Sequence, residues 1–545
     1  MKLRENNLEK LDSRVFDVLI VGGGINGAVS ASALATQGAS VALIDMGDFA
    51  SVTSSESSNL VWGGIKYLEG GEVGLVRKLC LSRNRLIRAY PSSVREIRFF
   101  TSIERGLRWN RFFMFLGTLL YWAIGNFFTR SPRLLDRDDI AGEEPAVALL
   151  GPGGVEYSDA FLIDNDARFV FGFIRNALDH GAIAVNYVRS LGSSRGEDGL
   201  WQTRVRDEMT GTEQIVRSRV LINAAGPYVD THNALTGQTT SYHHVFSKGV
   251  HLIVDRITNS QRVLTFFADD GRLFFVIPLG PKSCIGTTDT RVETIPPRVD
   301  PEDRRFILDN VNRRLSLTRP LNERDVIAER VGVRPLVLNS NASGEGRDWV
   351  ALSRKHVVEV DADDRHISIF GGKLTDCLNI GEEIALAVRG LGVEMADYGR
   401  RWYGEPDDSM RDAFFHQAKL MGLDALTAKD AVEHLSTRLW RRYGATALGL
   451  LDDIRQEPRM AQVLISGTEY IRAELYHAAQ REMVTKLEDF LRRRSKIALI
   501  ARREDIKKAP GLMEACEILF GEDQAQAKFD EYFADDELAT SLTAC

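Results

Sequence analysis

The chain has 545 residues, 44% hydrophobic and 27% charged, which is too long for one compact core and ordinary for folded protein, so two or three domains are expected. A formal net charge of -7 supplies no broad basic field, which excludes nucleic acid as a partner. The cysteines Cys80, Cys284, Cys377, Cys516 and Cys545 are scattered and form no CxxC pair, so neither a metal site nor a dithiol centre is read, and a reducing, cytosolic compartment is expected.

Met1 to Arg14 is polar and lacks the apolar core of a secretory signal. Phe16 to Val21 and Ser40 to Ile44 are short apolar runs, and Ala28 to Gln37 between them is small and helix-compatible, which predicts a strand, turn, helix, strand unit. Its turn is Gly22-Gly23-Gly24-Ile25-Asn26-Gly27. The spacing of Gly22, Gly24 and Gly27 lets backbone N–H groups approach a pyrophosphate at a helix N-terminus, and Gly27 lets that helix pack on the strand. Asp45 follows about 18 residues beyond Gly27, placed to accept hydrogen bonds from ribose hydroxyls, although a strand-end carboxylate would look the same. The pattern predicts a dinucleotide site without separating FAD from NAD.

Glu72 to Tyr90 carries apolar residues at helical spacing and predicts an amphipathic helix. Phe112 to Ile124 is apolar for about 13 residues, short of the roughly 20 that cross a bilayer. Flanked by Arg108, Arg111, Arg130 and Arg133, it fits either a helix at a membrane surface or one packed over a neighbouring domain. Strands are expected at Thr203 to Arg206, Arg219 to Ile222, Val250 to Val254, Leu273 to Ile277 and His366 to Phe370. From about Ala396 the texture turns helical, with Met410 to Met421, Ala428 to Arg438 and Glu469 to Arg493 as expected helices.

Thr53-Ser54-Ser55-Glu56-Ser57-Ser58 and Gly63-Gly64-Ile65-Lys66-Tyr67-Leu68-Glu69 resemble the flavin-side loop of the FAD-dependent glycerol-3-phosphate dehydrogenases, within the amino-acid-oxidase-like flavoproteins. The same family is resembled, in order, by Glu156 to Asp159, Asn223-Ala224-Ala225-Gly226-Pro227, Lys248-Gly249-Val250-His251 and Gly286-Thr287-Thr288-Asp289. Gly332 to Leu336, Gly371-Gly372-Lys373-Leu374-Thr375 and Asp489 to Arg494 continue the series. FAD follows from this resemblance. So does an α/β architecture: a Rossmann-like FAD-binding domain from residues 13–100, 151–240 and 330–398, a mixed or antiparallel-sheet substrate domain from 101–150 and 241–329, and an all-α C-terminal domain over 399–545.

The resemblance implies cofactor contacts from Gly22, Gly24, Asn26, Gly27, Asp45, Thr53, Ser54, Ser55, Ser58, Gly63, Gly64, Val188, Ala225, Gly226, Gly372, Lys373, Leu374 and Thr375. It implies hydride transfer from the secondary alcohol of a glycerol phosphate to flavin, with Lys66, Tyr67, Arg334 and Arg354 at the substrate and His251, Arg334 and Lys373 in catalysis. A guanidinium fork suits a phosphate, and Lys373 beside the flavin pyrimidine would meet the negative charge of reduction. His251 is a candidate general base, with a hydrogen-bonded core histidine as its alternative; Tyr67 is either a substrate contact or a packed aromatic. Quinone or oxygen as acceptor, a homodimer, and a cytoplasmic location with peripheral contact at the inner face of the cell membrane are further expectations.

The chain departs from the family pattern near the chemistry. Trp62 stands where a histidine is expected, Lys66 where an arginine is, and Asp376-Cys377-Leu378 where a small residue, tyrosine and arginine are; Val29, Ala33 and Gln37 replace glycine, aspartate and arginine. These changes leave open another polyol phosphate or a phosphonate as substrate. Two rival readings stand beside the dehydrogenase: an amino- or hydroxy-acid oxidase, whose carboxylate the same cations would hold, and a flavoprotein without redox turnover.

Overall fold

Val15–Val21 is a strand in which Phe16 and Val18 to Val21 are buried, on both faces, as a strand inside a parallel sheet requires. In this computed structural model, which describes residues 2–542 except 105, 107–109, 341–354 and 430, it pairs in parallel with Val41–Ile44 and with Glu213–Asn223. The sheet runs Val357–Asp361, His366–Phe370, Glu213–Asn223, Val15–Val21, Val41–Ile44, Ile183–Val185, and the hairpin Val188–Arg195 with Trp201–Asp207 extends it. Helix Ile25–Thr36 packs against Asp166–Asp179 and Cys377–Gly390, and its Ala28, Ala31 and Ala35 are small enough to admit both neighbours.

The second sheet has 10 strands, with Tyr242–Asp255 paired antiparallel to Ala328–Asn339 over most of their length. Val94–Ile103, Gly153–Leu162 and Ala328–Asn339 all belong to it, so the division drawn from sequence, which gave residues 94–100, 151–162 and 330–339 to the nucleotide-binding domain, does not follow the sheets. Alternating apolar residues mark a strand but not its partner, which lies far off in the chain. The chain divides into Lys10–Tyr403, which carries both sheets, and a helical unit made of Gly404 onward with the residues before Lys10.

Within the helical unit two expectations are corrected. Glu469 to Arg493 is not one helix: Arg472–Arg481 ends before Met483, which has φ 51°, and the chain restarts at Asp489–Arg494. Asp489 drives the restart, its Oδ2 accepting from Thr485 N and Lys486 N at 2.8 Å each. Ala428 to Arg438 is non-helical as far as the described residues show until Leu435–Tyr443, where the Asp424 carboxylate accepts from Ser436 N and Oγ.

Helix Arg111–Ile124 belongs to the two-sheet unit and is capped by Asn110, whose side chain accepts from Phe112 N and Phe113 N. Thr118 and Tyr121 are buried, whereas Phe112, Phe113, Leu116 and Leu120 are each more than half exposed. Among the described residues no helix is long and apolar enough to cross a membrane.

Candidate active site

Turns from both sheets converge above the glycine turn. Gly22 has φ 106°, and a Cβ there or at Gly27 would overlap backbone, at Ala224 and at the Gly22 carbonyl respectively, so the Gly22–Gly27 and Asn223–Gly226 turns are in close contact. Asn26 Nδ2 donates to Gly371 O at 2.9 Å, which brings in the Gly371–Thr375 turn, and Ile25 N donates to Ser54 Oγ at 2.9 Å, which brings in the serine loop. Asp45 Oδ2 accepts from Gly23 N at 2.6 Å and Oδ1 from Gly47 N at 2.8 Å, leaving further lone pairs for ribose hydroxyls.

A cavity of about 290 Å³ opens beside these turns, lined by Ile25, Thr53, Ser54, Ser58, Trp62, Tyr67, Phe275, Gly372, Lys373, Leu374 and Thr375 on one part of its wall, and by Gly249, His251, Thr287, Gly332 and Arg334 on another. The second group comes from paired strands: His251 stands opposite Arg330, Gly249 opposite Gly332, and Ser247 opposite Arg334. The two glycines clear the space between histidine and arginine. A Cβ at Gly249 would strike the Arg334 guanidinium.

His251 is buried, and neither ring nitrogen has a hydrogen-bond partner among the described residues. Burial, with the charges of Arg330 and Arg334 adding to it, pushes its pKa down to about 3, so the ring is a neutral proton acceptor. Arg334 donates to Thr287 Oγ1 at 3.0 Å and Thr288 O at 3.2 Å and pairs with Asp289 at 3.3 Å. Lys373 Nζ donates to Tyr67 Oη at 2.8 Å and lies 4.1 Å from the centroid of that ring.

Several sequence-predicted residues lie elsewhere. Lys66 is exposed and does not line the cavity, because on the short helical turn Ile65–Leu68 its neighbour Tyr67 takes the inward position. The Ser55 hydroxyl donates to Val52 O, within its own loop, and does not line the cavity. Gly63 and Gly64 do not line the cavity, and neither does Val188, whose N–H donates to Asp45 O at 2.7 Å at the strand end. Arg354 lies outside the described residues.

Other groups were not singled out. Arg330, fully buried, donates to both Asp166 carboxylate oxygens at 2.8 and 2.9 Å and to Ser55 O at 2.6 Å, while Asp166 accepts from Ser57 N at 2.7 Å; the pair fixes the serine loop. Asp376, one of the departures, is taken up by His356 Nδ1 at 2.6 Å and Asn379 Nδ2 at 2.5 Å, and His356 Nε2 meets Glu383 at 2.8 Å. With carboxylates on both nitrogens the ring needs both protons. Burial opposes that charge, but the bonds to Asp376 and Glu383 outweigh it and the pKa is raised. Stability from this clamp is complete below the ordinary value of 6.5 and is lost as pH rises through the raised one. We expect the decline in Tm on the alkaline side of neutrality to be shallower in His356→Gln, measured by thermal melts across pH.

The site fits FAD. Thr53, Ser54 and Ser58 line the cavity next to a glycine-lined helix N-terminus, Asp45 stands at the strand end, and the buried Asn26 Oδ1 accepts no hydrogen bond from the described residues. Gly27→Ala is expected to lose the cofactor, read as the flavin absorbance retained after gel filtration, since its Cβ would overlap the Gly22 carbonyl.

A glycine turn on a parallel sheet, joined to a second sheet that carries a buried histidine and an arginine at the same cavity, fits a dinucleotide-dependent oxidoreductase of the flavoprotein type. The FAD dependent oxidoreductase model matches residues 17–356, and the C-terminal domain of alpha-glycerophosphate oxidase matches residues 408–527. Glycerol-3-phosphate dehydrogenase 2 of Mycobacterium tuberculosis (strain ATCC 25618 / H37Rv) is 30% identical over 519 residues, 90% of this chain and 82% of that protein. Aerobic glycerol-3-phosphate dehydrogenase of Staphylococcus aureus (strain NCTC 8325 / PS 47) is 28% identical over 522 residues, 90% of this chain and 88% of that protein. The X-ray structure of the glycerol-3-phosphate dehydrogenase from Bacillus halodurans complexed with FAD aligns with a TM-score of 0.71 at 25% identity, over 98% of this chain and 97% of that one. The chain belongs to the FAD-dependent glycerol-3-phosphate dehydrogenase family, and FAD is its cofactor.

Proposed function

We propose that the protein oxidises the secondary alcohol of a small phosphorylated polyol, glycerol 3-phosphate or a close analogue such as a phosphonate, to the ketone. The observation that carries this reading is an unpartnered, neutral His251 facing the same cavity as Arg334. FAD, when bound, accepts the hydride. His251 takes the proton of the substrate hydroxyl, Arg334 holds the phosphate and Lys373 serves the flavin pyrimidine, with Lys66 left out because it does not line the cavity and Arg354 lying outside the described residues. Trp62 and Phe275 give the pocket flat apolar walls that favour a short carbon chain and exclude water.

Dye-coupled turnover measured with glycerol 3-phosphate, other phosphorylated polyols, a phosphonate analogue, amino acids and hydroxy acids tests the reading. Turnover is expected only with the phosphorylated or phosphonate compounds. Turnover confined to unphosphorylated acids would overturn it in favour of an acid oxidase.

We further propose that the electron acceptor is a membrane quinone, reached while helix Arg111–Ile124 lies on an anionic bilayer. Support comes from the exposed Phe112, Phe113, Leu116 and Leu120 and the nearby Arg111, Arg130 and Arg133. Phe113→Ser with Leu116→Ser is expected to abolish co-sedimentation with phosphatidylglycerol vesicles while FAD content stays unchanged; undiminished sedimentation contradicts the proposal.

A further inference from the structure

The flavin-side loop is held from behind by a buried polar group that the proposed reaction does not use. Gly63 N–H donates to Asp159 Oδ1 at 3.0 Å, and the same oxygen accepts from Arg83 Nη1 at 3.0 Å. The other oxygen, Oδ2, accepts from Tyr121 Oη at 2.6 Å. Asp159 is fully enclosed and Arg83 and Tyr121 nearly so. Arg83 is oriented in turn by Asn84 Oδ1, at 3.1 and 2.9 Å, and Asn84 Nδ2 donates to Gly125 O at 2.9 Å, at the end of the helix that carries Tyr121.

The group therefore joins three elements: helix Val73–Ala89 through Arg83, helix Arg111–Ile124 through Tyr121, and strand Gly153–Leu162 through Asp159. All three converge on one backbone amide. Fit is close, because a Cβ at Gly63 would overlap Tyr121 Oη and come within 2.9 Å of Cys80 Sγ. The next residue in each direction matters to the cavity. Trp62 lines it, and Gly64, at φ 80°, leads into the turn that aims Tyr67 at Lys373.

Burial pushes Asp159 upward in pKa, with Arg83 and the Tyr121 hydroxyl acting against it. The guanidinium beside it is buried too and has no other carboxylate within reach among the described residues. A buried carboxyl with three donors around it is a rigid anchor: losing any one of them leaves a lone pair unmet in a dry site.

We propose that Tyr121 is a positioning residue for the active site: through Asp159 it holds the Gly63 amide, and with it Trp62 and Tyr67, at fixed distance from the flavin and substrate. The seating of helix Arg111–Ile124 and the position of the flavin-side loop are then one variable.

Tyr121→Phe in the full-length, FAD-loaded protein tests this. Deuterium exchange of the peptide covering residues 60–68 is expected to quicken about tenfold, with the C-terminal helical unit unaffected and Tm shifted by only a few degrees. The kcat is expected to fall about tenfold with KM little changed, as loop misplacement predicts. A companion pair uses the overlap directly: Gly63→Ala loses FAD, and Gly63→Ala combined with Tyr121→Phe, which removes the overlapping oxygen, regains part of it. Exchange at 60–68 equal to the unsubstituted protein, or faster exchange spread evenly over the whole chain, would overturn the proposal. So would fast exchange of the Gly63 amide in the unsubstituted protein, a result that stands even if Tyr121→Phe fails to fold. The exchange and FAD arms do not depend on the proposed reaction, so normal exchange changes without any turnover would count against that reaction alone.

Discussion

His251→Asn is expected to lower kcat at least a hundredfold while FAD stays bound and KM changes little, as for loss of a general base. The side chain contributes no hydrogen bond to the fold among the described residues, so its removal has little structural consequence to confuse the result. An ordinary core histidine would behave in the opposite way, since it would hold a backbone or side-chain partner and its loss would lower stability. With its pKa near 3, His251 is unprotonated throughout the physiological range, and a base is active in that form. Activity that depends on it is present above about pH 3 and lost only below, so kcat/KM, which reports the free enzyme, should show no histidine limb near 6.5. Steady-state kinetics of the variant at saturating substrate, together with a kcat/KM–pH profile of the unsubstituted enzyme, check both points.

Arg334→Ala is expected to reduce kcat/KM by a hundredfold or more, mainly through KM. Two charge-assisted bonds to a phosphate are worth about 1.5–3 kcal/mol each, and each 1.4 kcal/mol is tenfold. A second effect adds to the first. Arg334 faces Asp289, whose carboxylate also accepts from the Ser247 hydroxyl, and without the guanidinium that carboxylate would confront the incoming anion. Arg334→Lys keeps a charge against Asp289 but loses the fork, so an intermediate KM is expected. FAD retention should equal that of the unsubstituted protein in both variants, because Arg334 stands on the second sheet, away from the glycine turn. Unchanged KM in Arg334→Ala would remove the residue from the substrate site.

The parts of the site carried by short stretches of chain were legible. Gly22 to Gly27, the strands beside it, and Gly371 to Thr375 each carry their turn chemistry in a few consecutive residues, and collinear motifs identified the family. His251 and Arg334 were visible as polar residues in apolar strands, a pattern that asks for a partner or a task. Lys66 was misplaced because in a one-turn helix neighbouring side chains diverge, and sequence alone does not say which of Lys66 and Tyr67 turns inward. Asp159, Arg83 and Tyr121 were out of reach for another reason. Arg83 and Asp159 are separated by 76 residues and Tyr121 from Asp159 by 38, so nothing local marks them as one group. The break at Met483 was hidden by continuous helical periodicity on both sides; the chain turns at Met483 and the Asp489 carboxylate, accepting from Thr485 N and Lys486 N, starts the next helical segment.

Reduction of the bound flavin by a phosphorylated polyol is read by anaerobic rapid mixing of the purified holoenzyme with glycerol 3-phosphate, followed at the flavin absorbance band. The band is expected to bleach on mixing, at least a hundredfold more slowly in His251→Asn. A band that stays oxidised with glycerol 3-phosphate and every other phosphorylated polyol, yet bleaches with an amino or hydroxy acid, would contradict the proposed reaction.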